Sequence, residues 1–398
     1  MNILFLSTRL PYPPNNGHFQ RTFNVLKHLS RKHNIYLVSF FSKGLNKDTR
    51  EHYNSEMKKY CKECHTFPIP FENSKLTFLY ILMKTMLTNK PLIAYKYFVN
   101  EAIDCINDIK SRNHIDFVHY DMLPMAEYMK LMPAINSLLT EHNVEYLRYL
   151  RWVEKEKNYI KKMYINKQYK DLKNYEIDTL KKFKTCVVMS EYDKNILQEF
   201  SINTSFKVIP NGTDTDYFKP EKSDIKKDSL IWVGGMFQWP NIDAVEYFVN
   251  EIFPHIAANN KDVIFNVVGA DPIKVLYKSK YAKNIRVHGF VDDIRPLVAE
   301  SNVYVAPIRI GSGTKLKILD AMSMGKCVVT TSVGLEGIEA NVGSDVFVCD
   351  TAKEYAKMVL ELLSDNKLVQ RTGENARKFI LNNYSWEKIF SKMDCLYE

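Results

Sequence analysis

The chain has 398 residues, 45% of them hydrophobic and 25% charged, and a formal net charge of +9. That length suits two domains, and that composition is globular and not disordered. No window holds the roughly 18 uninterrupted apolar residues of a membrane span. The positive charge accompanies no helix-turn-helix, zinc-finger or RNA-binding pattern, so nucleic acid is not an expected partner. The seven cysteines are an odd number and read as reduced thiols.

In chain order, Met1-Asn-Ile-Leu-Phe-Leu6 lacks a basic lead, and its apolar run stops at Ser7. It reads as a buried strand, not a signal peptide, which predicts a cytoplasmic protein. Residues 20–31 carry Phe23, Leu26 and Leu29 at helical spacing. Further strands are expected at 35–40, 65–69, 117–119, 137–140, 185–189 and 207–209. Cys61-Lys-Glu-Cys64-His65 has the spacing of covalent haem attachment, but that chemistry follows export, and no further ligands complete a zinc site. The pair is assigned no cofactor.

Two stretches in this half have two readings each. Residues 78–87 are strongly apolar, either a lipid-facing helix or a core helix of the first domain. Between Leu147 and Lys184 there are twelve Lys/Arg against five Asp/Glu. They make either a solvated helical face or a surface for anionic lipid or a charged acceptor. Peripheral association with the inner face of the membrane follows from the lipid readings.

After Ile209 the chain turns through Pro210-Asn-Gly212, and a polar stretch over 219–228 breaks the pattern. Strands resume at 230–233, 264–268, 285–288, 303–306, 327–331 and 346–349, and residues 366–398 read as helical. Strands alternating with helices predict parallel sheets, here two doubly wound Rossmann-like α/β domains. Residues 1–210 form the first, 211–228 a linker, 229–375 the second, and 376–398 a terminal helix.

The richest string is Ala306-Pro-Ile-Arg-Ile-Gly-Ser-Gly-Thr-Lys-Leu-Lys-Ile-Leu-Asp-Ala-Met-Ser-Met-Gly325. A buried strand meets a glycine-rich turn, and a helix opens with Leu316, Leu319 and Met322 as its buried stripe. Glycines allow close backbone approach, and the first helical amides lack internal partners at the positive end of the helix dipole. Together they suit a diphosphate, to which Arg309 and Lys315 add full charges. Asp320 lies seven residues past Gly313, almost on the same face, where a carboxylate can accept ribose hydroxyls.

This string resembles the nucleotide-sugar site of retaining glycosyltransferases of family 4, in the subgroup R-x-G-S-G-T-[RK]-L-K-x-L-E-A-M-A-M-G. Ser312 stands where many members have a first glutamate, and Asp320 replaces the second. Val208-Ile-Pro-Asn-Gly-Thr-Asp-Thr-Asp-Tyr-Phe-Lys-Pro220 is similar to the family's interdomain string I-P-N-G-V-D-x-x-x-F-x-P. Val233-Gly-Gly-Met-Phe-Gln-Trp-Pro-Asn-Ile-Asp-Ala244 resembles the first strand and turn of its donor domain, and Val287-His-Gly-Phe-Val-Asp-Asp-Ile294 the strand end that meets the base. Asn15-Asn-Gly17-His18 keeps one glycine of the acceptor-side loop. Leu139-Thr-Glu-His-Asn-Val-Glu-Tyr146 matches E-H-N-x-E, whose histidine contacts a hydroxyl of the donor sugar; that role falls on His142, ahead of His119.

The resemblance implies the GT-B fold, two such domains facing a deep cleft with a C-terminal helix packing back towards the first. It implies a cytoplasmic glycosyltransferase of the hexosyltransferase type, which moves a sugar from a nucleotide diphosphate with retention of configuration. The acceptor is expected to be a glycan or lipid-linked glycan of surface polysaccharide synthesis. Neither cofactor nor metal is expected. His142, Arg309 and Lys315 would act in catalysis. Gly17, Gly234, Gly235, Phe290, Val291, Ser312, Gly313, Thr314, Leu316 and Asp320 would bind the donor. In retention the departing phosphate takes the acceptor proton, with Glu141 and Glu145 as helpers. Two other readings are a silent nucleotide-sugar-binding partner, which Ser312 keeps open, and a GT-B nucleotide-sugar epimerase. A nicotinamide dehydrogenase is disfavoured, because no G-x-G-x-x-G follows the first strand.

Overall fold

The structure, a computed structural model, describes residues 1–14, 17–200, 203–311 and 313–397. It divides into two compact units, Met1–Ile209 with Lys392–Glu398, and Pro210–Ser391. The first is built on seven strands: β1 (Asn2–Ser7), β2 (Asn34–Phe41), β3 (Glu63–Pro68), β4 (Phe117–Asp121), β5 (Asn136–Thr140), β6 (Thr185–Val188) and β7 (Ser205–Val208). They lie in the order β3-β2-β1-β4-β5-β6-β7. The second has six: β8 (Lys226–Val233), β9 (Ile264–Val268), β10 (Ile285–Gly289), β11 (Ser301–Ala306), β12 (Cys327–Thr330) and β13 (Phe347–Val348). Their order is β10-β9-β8-β11-β12-β13.

Every strand pair in both sheets is parallel. Parallel sheets are covered on both faces, which is why β1 is a continuous apolar run whose Ile3, Leu4, Phe5 and Leu6 are buried. Each such side chain contributes about 1.5–3 kcal/mol relative to exposure. The expected fold class is therefore present: two doubly wound, Rossmann-like parallel-sheet units.

Strand order reverses between β1 and β4 in the first sheet and between β8 and β11 in the second. At such a reversal the flanking connections leave towards opposite faces and open a crevice at the carboxyl ends of the strands. The residues of chemical interest fall at these two points.

Three local findings refine the sequence reading. Residues 211–228 pack within the second unit, where the Thr213 amide donates to the Tyr384 carbonyl (2.8 Å) and Arg377 donates to the carbonyls of Thr215 (3.0 Å) and Phe218 (3.1 Å). The terminal helical segment is broken into Asn366–Asn383 and Trp386–Met393, because Thr213 bridges to Ser385 at the break. Its last turn returns to the first unit, where Asp394 accepts from Lys32 and pairs with His28.

The apolar run 78–87 falls in the helix Lys75–Leu87, which buries only Ile81 and Thr85. The core-helix reading is thus overturned. No helix among the described residues is long and apolar enough to cross a membrane. Cys61 and Cys64 are buried free thiols, Cys64 inside β3, and burial pushes the Cys64 thiol up to about 12.

Candidate active site

In the second unit, β11 ends at Ala306 and leads into the glycine turn and the helix Leu316–Ser323. Gly313 adopts φ 67°, a left-handed conformation that a side chain would strain. Lys315 sits at the cap position of the helix, and its Nζ donates to the Gly313 carbonyl at 2.7 Å, closing the turn on itself. Glu336 stands 3.9 Å from the same ammonium. Thr314 is buried and donates to the Gly337 carbonyl at 3.3 Å, and Leu316 is buried below it. Ser312 lies outside the described residues.

Asp320 is buried on the inner face of this helix, and the Thr213 hydroxyl donates to its Oδ1 at 2.6 Å. Burial pushes its carboxyl up to about 7, against the pull of that hydrogen bond. Thr213 belongs to the Pro210-Asn-Gly-Thr string. The structure therefore joins two motifs that lie 107 residues apart.

Gly234 and Gly235 follow β8, the strand beside β11 at the order reversal. A Cβ on Gly234 would lie 2.6 Å from the Nζ of Lys317. The glycine thus makes room for an ammonium that donates to Asn241 Oδ1 at 2.7 Å and lies 4.2 Å from the Trp232 ring centre. Desolvation pulls Lys317 down to about 7. Arg309 is held elsewhere: its guanidinium pairs with both oxygens of Asp243 (2.8 and 3.1 Å) and stacks 3.9 Å above the Tyr247 ring centre. Phe290, exposed, and Val291 follow the edge strand β10.

The first unit assembles its polar cluster from four segments. Asp121 ends β4, Ser7 ends β1, Thr22 and His18 lie on the helix Gly17–Leu29 after β1, and His142 follows β5. Gly17 is the first residue of that helix. Asp121 Oδ2 accepts from Thr22 Oγ1 at 2.6 Å and from Ser7 Oγ at 3.3 Å, and Oδ1 meets His142 Nε2 at 2.7 Å. Burial alone would raise the Asp121 carboxyl, but His142 and His18 hold it well below the usual range. An ionised Asp121 accepts only, so His142 carries its proton on Nε2 and Nδ1 becomes the acceptor nitrogen. Burial lowers His142, in line with a neutral ring. The next residue after Asp121, Met122, has φ 81° and ψ 149°, a conformation otherwise nearly confined to glycine, and such strain clusters at functional sites.

His119 is structural. Its Nδ1 meets the Tyr397 hydroxyl at 2.6 Å and its Nε2 the Thr140 hydroxyl at 2.9 Å, and burial pulls it down to about 3. Glu141 is buried, and desolvation together with the Glu176 and Glu145 carboxylates pushes its carboxyl well above the usual range. Glu145 pairs with Arg148 at 2.9 Å. Among the described residues, His18, Asp121 and His142 are the one group able to offer three metal-ligand atoms, all within 4.8 Å of one another. Both oxygens of Asp121 already have hydrogen-bond partners, Oδ2 in Thr22 and Oδ1 in His142.

Comparison with known proteins adds a family to this geometry. Residues 227–365 match the model of the family described as glycosyl transferases group 1. That match falls within the second unit. Over its length the chain is 22% identical to an uncharacterized 44.6 kDa protein of the Klebsiella pneumoniae cps region, covering 98% of each. Sucrose-phosphate synthase from Thermosynechococcus elongatus superposes with TM-score 0.72 at 14% identity, over 100% of this chain and 98% of that one. The Anabaena protein HepE in complex with UDP-glucose superposes with TM-score 0.67 at 14% identity, over 100% and 99%. These likenesses match the GT-B fold.

Six residues of the two clusters escape motif reading: Ser7, Thr22, Asp121, Thr213, Lys317 and Glu336. For Asp121 a signal existed, an acid closing the buried run Phe117-Val-His-Tyr-Asp121 at a strand end. The others matter only through partners distant in sequence.

Proposed function

We propose that the protein is a glycosyltransferase that moves a sugar from a nucleoside diphosphate to a hydroxyl of a glycan or lipid-linked glycan, with retention and without a metal. The observation that carries this reading is the glycine turn at the carboxyl end of β11, followed by a helix whose Asp320 is oriented by Thr213. Amides at the start of that helix, with Lys315 and Lys317, are suited to the diphosphate, and Asp320 to ribose hydroxyls. The HepE neighbour is in complex with UDP-glucose, which favours a uridine nucleotide. The relative from the cps region favours a surface polysaccharide as the destination.

In the reaction, the bond from the anomeric carbon to the diphosphate oxygen breaks and a bond to the acceptor oxygen forms on the same face. The departing phosphate takes the acceptor proton. Negative charge growing on that phosphate is offset by fixed positive groups, here the helix start and Lys315. Arg309 can join only by leaving Asp243. His142 is assigned the sugar-hydroxyl contact, and Asp121 fixes its tautomer.

A donor screen in EDTA tests the proposal, with nucleotide release and thermal shift followed for UDP-, GDP-, ADP-, TDP- and CMP-linked sugars. One nucleoside diphosphate should stabilise the protein, and its sugar donor should be slowly hydrolysed. Binding without turnover in the presence of lipid and polysaccharide extracts would favour a silent binding partner. Isomerisation of the sugar without an acceptor would favour an epimerase. No binding by any nucleotide would remove the phosphate site.

A further inference from the structure

Exposed apolar side chains are concentrated in one place on the first unit. Among the described residues nineteen large hydrophobic side chains are exposed, of which seven lie on the helix Lys75–Leu87 and three in the first turns of the helix Tyr159–Leu180. Leu76 is 79% exposed, Leu87 88% and Ile160 80%, values that no packed core helix shows. The two helices are neighbours: Lys167 Nζ donates to the Thr88 carbonyl at 3.0 Å, and the hydroxyls of Thr85 and Tyr164 lie 3.4 Å apart. Their apolar ends therefore form one continuous patch, of the kind that marks an interaction surface.

The charge around this patch is predominantly positive, with Lys90, Lys161 and Lys167 paired to Glu127, Glu156 and Asp171. Residues 74–90 contain three lysines and no carboxylate, and residues 157–170 contain five lysines and no carboxylate. We infer that this face docks on an anionic lipid bilayer, with the apolar side chains in the headgroup boundary and the lysines against lipid phosphates. A second copy of the chain is a poor occupant, because a twofold contact through this patch would set like charges opposite one another. The inference is independent of the transferase reading, since lipid binding needs no turnover.

Co-sedimentation of the full chain with vesicles tests it. The protein should pellet with vesicles rich in phosphatidylglycerol and stay in solution with pure phosphatidylcholine, and added salt should release it. Leu79→Glu with Ile160→Glu should abolish pelleting without changing Tm, since both side chains are exposed. Lys75→Gln with Lys157→Gln should weaken it by about thirtyfold. Failure to pellet with anionic vesicles, or pelleting unaltered by the Leu79→Glu and Ile160→Glu pair, overturns the inference. So does a lipid-free, concentration-dependent dimer that the same pair breaks.

Discussion

The two units place chemistry at the same point of the same topology, yet they build it differently. In the second unit, Gly313, Thr314, Lys315, Leu316 and Asp320 come from one turn and one helix, so the site is nearly a single string of sequence. In the first, Ser7, His18, Thr22, Asp121 and His142 come from three strand ends and a helix, and meet only through the sheet register that places Ser7 beside Asp121 and Asp121 beside Thr140. In the proposed reading, the contiguous site holds the diphosphate of the donor. The assembled one sets the tautomer and orientation of a single ring. The division predicts that the second unit governs donor affinity and the first governs turnover.

The sharpest way to break this division is His142→Ala. Turnover should fall about a hundred- to a thousandfold, the loss typical of one well-placed hydrogen-bonding group, while the nucleotide Kd stays unchanged. Single-turnover kinetics beside calorimetric titration would show it. A matching loss in Kd would mean that the two units do not divide the work. Asp320→Ala should do the reverse, weakening nucleotide binding on the order of a hundredfold through loss of charged hydrogen bonds.

Asp320 also carries a pH signature. Its carboxyl is pushed up to about 7, so donor affinity should fall as pH drops through that value and the acceptor form is lost. The sign for stability is opposite. A carboxyl raised on folding favours the folded state at low pH, and that contribution disappears as pH rises through about 7. Asp320→Asn should therefore raise Tm by a few degrees at pH 8 while losing nucleotide affinity, a trade of stability for function. Thr213→Val is the gentler probe. Without the hydroxyl that favours the charged form, the acid limb of donor affinity should move up by about one pH unit, and donor KM should rise several-fold at neutral pH. A merely structural Thr213 would lower Tm and leave that limb in place.

How much was legible in the sequence follows the same division. The alternation of short Val- and Ile-rich runs with helices is local, and it revealed two parallel-sheet units with strand positions displaced by only a few residues. The glycine turn and its helix were equally visible. Pairings across a hundred residues were not: Thr213 with Asp320, Asp121 with His142 and Thr22, and Gly234 with Lys317 depend on register and crossover. Arg309 shows the same limit from the other side. Its spacing offered a cation to the phosphates, but one turn along the neighbouring helix Asp243 takes its Nε and Nη2 donors. The helix Lys75–Leu87 reads as lipid-facing or core by composition alone, because hydropathy does not report which neighbours arrive to cover it.

The smallest expected effect is none at all, and it bears on how leaving-group charge is met. If the helix start, Lys315 and Lys317 offset the growing charge, EDTA should leave the rate of donor hydrolysis unchanged. Because His18, Asp121 and His142 could hold a transition metal, added zinc should slow turnover by occupying His142, leaving the nucleotide Kd in place. The pair of measurements separates two ideas that a rate alone confounds. If instead EDTA stops the reaction and manganese restores it, positive charge reaches the phosphates through a metal.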